Sequence, residues 1–159
     1  MIYIIILFVL LYLAFTKDNK ENNALYWSIA IALIFFMGLS RELGGDRPAY
    51  IDEYTYISTL LGNFSSFLDN FLWLMAMGRM PLWILSEMLI STLSPDNFTL
   101  FQFIHVAFVN SIVFWFFKKY SDCKFLCVLI YFCTSFIVFN CEIMRESTAV
   151  AVSLLSIPY

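Results

Sequence analysis

The sequence predicts an all-α integral membrane protein, a polytopic helical bundle of about four to six membrane segments. Three observations predict it. The chain is 62% hydrophobic and only 13% charged. Its mean hydropathy is +0.82. Its apolar residues fall into long runs separated by short polar stretches. A soluble domain of this size could not cover so much apolar surface with so few polar residues, so the bilayer is its natural solvent. In lipid each segment must satisfy its own backbone hydrogen bonds, which makes the runs helices.

The elements follow in order. Ile2 to Phe15 is a continuous apolar run, slightly short for a crossing. It lacks the basic start and small-residue cleavage site of a signal peptide, so it reads as a retained first span. Residues 17–23 form a polar turn, and Ala24 to Leu39 is the second span. Ser40 to Asn70 is a long polar connection punctuated by Gly44, Gly45 and Pro48. Within it, Tyr50, Tyr54 and Tyr56 with Ile51, Ile57, Leu60 and Leu61 fit an interfacial amphipathic helix, since tyrosine favours the headgroup level. Phe71 to Leu93 is apolar but interrupted by Gly78, Arg79 and Pro81. A breaker and an arginine at its centre favour a re-entrant or interfacial helix pair over one straight span. Phe98 to Phe117 is a full-length span, Phe125 to Phe139 the next, and Ser147 to Pro158 begins another. Residues 1–159 thus read as one transmembrane domain.

Lysine and arginine in short loops set orientation. The turns with Lys17 and Lys20, and with Lys118, Lys119 and Lys124, read as cytoplasmic. If Phe71 to Leu93 enters and leaves on one face, Arg41, Asp46, Arg79 and Arg145 share the outer face. If that stretch crosses once, Arg41 and Arg145 fall on opposite faces.

Two polar islands carry the candidate chemistry, because charge held beside lipid is expensive and needs a reason. The first contains Arg41, Glu42, Asp46 and Arg47; the second contains Asn140, Glu142, Arg145 and Glu146. Two glycines before Asp46 allow a sharp turn that presents its carboxylate. Arg41 ends a helix, where a cation complements the dipole, and the plain alternative is a capped helix end with a local ion pair. Glu142 and Arg145, three residues apart, would share one helical face as a simple pair. Small residues after Arg145 permit close helix packing, which would aim it into a cavity. The Arg79 guanidinium suits phosphate or carboxylate, with Glu87 as its partner. His105 reads as a helix–helix hydrogen-bonder. Asp46, Asp52 and Glu53 could hold a divalent cation, although acids in a solvated loop usually do not. Cys123 and Cys127 lack the further ligands of a metal site, so no metal is expected. The net charge of -3 excludes a nucleic-acid partner, which needs a basic face.

The run ending Gly38-Leu39-Ser40-Arg41, followed by Gly44-Gly45-Asp46 and Tyr50, resembles the Arg…Gly-x-Asp…Tyr signature of the EpsG family of Wzy-like polysaccharide polymerases. Asn140 with Met144-Arg145-Glu146 and Ala149 resembles that family's later Asn…Arg-Gln…Ala pattern. Glu146 departs from the glutamine, and Arg79-Met80 stands where the family commonly has an acidic residue before the proline. The resemblance covers an N-terminal half of longer members. It implies a multi-pass protein of the bacterial inner membrane that joins lipid-linked oligosaccharide repeat units during exopolysaccharide, capsule or O-antigen synthesis. The partners implied are a polyprenyl-pyrophosphate-linked oligosaccharide, membrane lipid and other polysaccharide-assembly proteins, with no cofactor. Arg145 and Arg41 would act on the pyrophosphate and Asp46 near the acceptor sugar, with Arg79, Tyr50 and Glu142 binding substrate. A flippase component, or a non-catalytic truncated membrane protein, is the alternative reading.

Overall fold

The computed structural model describes residues 2–16, 22–40, 44–61, 67–95 and 97–157. The described residues are all-helical apart from turns. They form α1 (Ile2–Phe15), α2 (Asn23–Gly38), α3 (Arg47–Leu60), α4 (Phe67–Ala76), α5 (Pro81–Leu93), α6 (Phe98–Tyr120), α7 (Lys124–Thr134), α8 (Phe136–Cys141) and α9 (Met144–Leu155). Among them α6 is long and apolar enough to cross a membrane by itself; α1, α2, α4, α5 and α7 are shorter apolar helices.

The bundle has two chemically distinct ends. At the lysine end, Lys124 donates to the Asn23 side chain at 2.9 Å, and Lys118 lies 5.4 Å from the Trp27 ring centre. The last turn of α1 meets the start of α7 there. At the opposite, arginine end, the Gln102 amide donates to the carbonyls of Met37 and Ser40, tying the start of α6 to the end of α2. Helix α2 therefore runs from the lysine end to the arginine end, α6 runs back, α7 and α8 return, and α9 starts down again.

Close packing supports this frame. α2 packs along α6, α1 along α7 and α9 along α6. A Cβ on Gly38 would stand 2.7 Å from the Phe103 ring, so glycine lets α2 and α6 approach. Asn110 donates to the Asn140 side chain at 2.6 Å and accepts from the Tyr131 hydroxyl at 3.0 Å, a buried polar link from α6 to α7 and α8. Much apolar surface stays uncovered: Phe8 is 66% exposed and Leu93 81%. Exposed apolar area on that scale needs an apolar neighbour.

The segment of α3, α4 and α5 starts and closes at the arginine end. The Arg47 guanidinium donates to Gln102 at 3.1 Å at the start of this segment, and the Tyr54 hydroxyl donates to the Ser94 carbonyl at 2.7 Å at its close. Gly78, with a φ of +80°, makes the sharp turn between α4 and α5, and Pro81 opens α5, where its missing N–H costs nothing. Helix α3 is amphipathic, as its pattern indicates: Tyr50, Tyr54 and Ile57 are buried at helical spacing.

Three sequence expectations are corrected. The stretch Phe125 to Phe139 is not one helix: Ser135 separates α7 from α8. The Thr134 hydroxyl bonds back to the Ile130 carbonyl there, a contact that bends helices. The last helix starts at Met144, not Ser147. Glu142 and Arg145 do not share a helical face, because Glu142 caps the end of α8 and Ile143 has non-helical backbone (φ -119°, ψ 52°) before α9 begins.

Candidate functional site

The two polar islands meet at the arginine end. Gly44 has a φ of +95°, and a Cβ there would stand 2.6 Å from both the Cβ and the carbonyl oxygen of Cys141. Both the left-handed backbone and the close approach require glycine. That contact sets the start of α3 against the turn before α9.

Tyr50 joins the islands further in. Its hydroxyl donates to the Glu142 carbonyl at 3.0 Å, and the Arg145 guanidinium lies 5.7 Å from its ring centre. The Trp83 ring of α5 stands 5.6 Å from the Tyr50 ring. Burial raises the Tyr50 hydroxyl's pKa, and neighbouring Arg145 opposes that shift. Arg79, in the turn before α5, forms an ion pair with Glu53 of α3.

Glu87 is not the partner of Arg79. It is fully buried, and neither carboxyl oxygen has a hydrogen-bond partner among the described residues. Glu53 sits three residues beyond Tyr50 and so reaches Arg79 first.

The other candidates are placed as follows. Arg41 lies outside the described residues. Asp46 is exposed at the start of α3, and its side chain makes no capping bond. Glu142 contributes its backbone carbonyl rather than its carboxylate. His105 lies across α6 and α9, within 3.2 Å of the Ser147 hydroxyl and 3.4 Å of the Thr148 hydroxyl. Among the described residues no three His, Cys, Asp or Glu side chains come together as a metal site.

A cavity of about 300 Å³ opens beside Arg145, walled by Pro81, Leu82, Trp83, Thr148 and Val152. A second, of about 340 Å³, shares Leu82, Thr148 and Val152 and runs past His105 and Phe108 between α5, α6 and α9. Its walls are mostly apolar, with Ser86, His105 and Thr148 among them.

The model of the EpsG family matches residues 23–159. The chain belongs to the EpsG family. No curated protein and no solved structure matches it. Membership makes it an exopolysaccharide-related membrane protein, in keeping with α6 and the exposed apolar faces.

In this EpsG protein the Arg145 guanidinium lines an apolar cavity, and low local dielectric strengthens the charge-assisted hydrogen bonds of a group so placed. Sequence reasoning overlooked Trp83 and assigned Glu53 and Glu87 differently. The signal for Glu53 was its spacing from Tyr50 and Ile57 on one face of α3; Trp83 and Glu87, four apart on α5, share a face in the same way.

Proposed function

We propose that this EpsG protein is a membrane glycosyltransferase of the polymerase type, joining lipid-linked oligosaccharide repeat units. It is multi-pass in the cytoplasmic membrane, with α1, α2, α6, α7–α8 and α9 crossing and α4–α5 entering and leaving on one face. The lysine end lies in the cytoplasm by the positive-inside rule, and the arginine end faces outward.

One observation carries the reading: Arg145, against the Tyr50 ring, stands at the head of an apolar cavity between helices. That arrangement suits an amphiphile with an anionic head, such as a polyprenyl pyrophosphate carrying a glycan. In the transfer, an acceptor hydroxyl attacks the sugar carbon bonded to pyrophosphate. The new glycosidic C–O bond forms as the C–O bond to pyrophosphate breaks, and negative charge gathers on the departing group. Fixed guanidinium groups in a poorly hydrated site stabilise that charge. Arg145 takes this role with Arg79 in support; Arg41 is assigned beside them on its motif alone. Exposed Asp46 serves the acceptor side and takes the hydroxyl proton. Tyr50 and Glu142 hold Arg145 in position.

The test is Arg145→Ala in the full chain in its native host. Polymer should fall by about 10²-fold or more, with normal membrane levels of protein and single repeat units gathering on the outer leaflet. Accumulation on the inner leaflet instead would point to flipping. Normal polymer would remove Arg145 from the site.

A further inference from the structure

His105 is the single histidine of the chain, and it is buried in the first half of α6. A histidine inside a membrane segment is costly to keep and asks for a use. Its ring meets the first turn of α9. Nε2 lies 3.2 Å from the Ser147 hydroxyl, and Nδ1 lies 3.4 Å from the Thr148 hydroxyl. Those residues follow Arg145 by two and three positions.

The available protons select one tautomer. A charged imidazolium between helices in lipid is an expensive state, so the ring is neutral, with one N–H donor and one acceptor nitrogen. Both hydroxyls also reach the Met144 carbonyl, Ser147 at 2.8 Å and Thr148 at 3.1 Å. The Ser147 hydroxyl gives its proton to that shorter bond, and its oxygen is left to accept from the ring. Nε2 then carries the hydrogen, and Nδ1 is the acceptor facing the Thr148 hydroxyl.

Bonds to two adjacent residues fix the rotation of a helix, because successive side chains stand about 100° apart around its axis. Arg145 is three positions before Thr148 and so lies on the same side of α9. Both residues line the cavity of about 300 Å³. A second path joins His105 to Arg145 through side chains. The His105 ring stands 5.8 Å from that of Trp83, Trp83 stands 5.6 Å from Tyr50, and the Tyr50 ring centre is 5.7 Å from the Arg145 guanidinium. Helices α6, α5, α3 and α9 thereby close a circuit of contacts that contains both residues.

We propose that His105 is a positioning residue: as the neutral Nε2–H tautomer it donates to Ser147, accepts from Thr148, and holds the first turn of α9 at the rotation that aims Arg145 into the cavity. The inference rests on the reading that Arg145 acts on the pyrophosphate group, and it adds α6 to the site. It gives His105 no contact with substrate and no proton to transfer.

The experiment joins polymer yield from the full chain in its native host to nitrogen NMR of the histidine-labelled full chain in lipid nanodiscs, where one histidine gives an unambiguous signal. Nε2 should be protonated and Nδ1 bare. Ser147→Ala removes the acceptor and should cut polymer about tenfold or more at normal membrane levels, as small misplacements of a reacting group do. His105→Leu should do the same. His105→Gln, with an N–H donor at about the reach of Nε2, should return the yield to within about threefold of wild type. In an Arg145→Ala background, His105→Leu should cost less than about a further twofold, since residues that act as a unit are not additive. A merely structural role would cost as much there as in wild type. Ser147→Ala leaves α6 untouched, so it decides the matter even where His105→Leu fails to accumulate. A proton on Nδ1, normal polymer from Ser147→Ala, His105→Gln no better than His105→Leu, or equal losses from His105→Leu with and without Arg145 overturns the role of His105. Normal polymer from Arg145→Ala overturns the underlying reading instead.

Discussion

The Arg145 guanidinium lies 5.7 Å from the centre of the Tyr50 ring, and the hydroxyl of that tyrosine donates to the Glu142 carbonyl at 3.0 Å. One side chain of α3 thereby holds both the turn before α9 and the arginine in its first turn. Its two contacts can be separated. Tyr50→Phe removes the hydroxyl, with its bond to the Glu142 carbonyl and its interaction with Arg145, and should cost about 1 kcal/mol of stability, while the ring contact with Arg145 stays. Tyr50→Leu removes the ring as well and should add a loss of about 0.5–2 kcal/mol. Thermal unfolding in nanodiscs reads the stability. Polymer yield should drop more for Leu than for Phe; equal yields would mean that the ring does not position Arg145.

Gly44 is the tightest point between the two islands. Gly44→Ala combines a left-handed backbone with a Cβ set 2.6 Å from Cys141 backbone oxygen. It should destabilise the fold by about 1–3 kcal/mol. Gly45 has nothing within 4 Å of its Cβ position, so Gly45→Ala should stay within about 0.5 kcal/mol of wild type. The pair of melting curves is the measurement, and similar midpoints would disprove the close approach.

Asn110 and Asn140 form a buried pair at 2.6 Å, and Asn110 also accepts from Tyr131. A double-mutant cycle with Asn110→Ala and Asn140→Ala should return a coupling of roughly 0.6–1.7 kcal/mol, the range of interhelical hydrogen bonds in lipid. Strict additivity would argue that the two helices are not joined there.

The two ends of the bundle predict opposite chemical access. Cys123, in the turn after α6, is exposed at the lysine end, and Asp46 is exposed at the arginine end. A membrane-impermeant thiol reagent added to whole cells should modify Asp46→Cys and spare Cys123 until the cells are opened. The reverse pattern would invert the proposed orientation.

Arg79 ties stability to binding. Its side chain is 44% exposed, but that of its partner Glu53 is only 9% exposed, so Arg79→Gln leaves a nearly buried carboxylate without its cation and should cost about 1–3 kcal/mol of stability. If Arg79 supports the anion, the same variant should also weaken pyrophosphate binding well below its melting temperature. Unchanged binding would leave Arg79 a structural partner of Glu53 and nothing more.

Composition and apolar periodicity by themselves determined the helical class, most helix positions, the amphipathic face of α3 and the break at Gly78 to Pro81. These are local or collective properties, set by backbone chemistry and by how many neighbouring residues avoid water. The motif residues also indicated where charge is kept against its cost. Which charges face one another was decided only by the tertiary structure. Glu142 at spacing three from Arg145 looked like its partner, yet a turn intervenes and Tyr50, far away in sequence, takes that place. Glu87 looked like the partner of Arg79, yet α3 brings Glu53 to it and leaves Glu87 buried alone. Pairing over long separations depends on which helix faces pack together, and no local pattern encodes that.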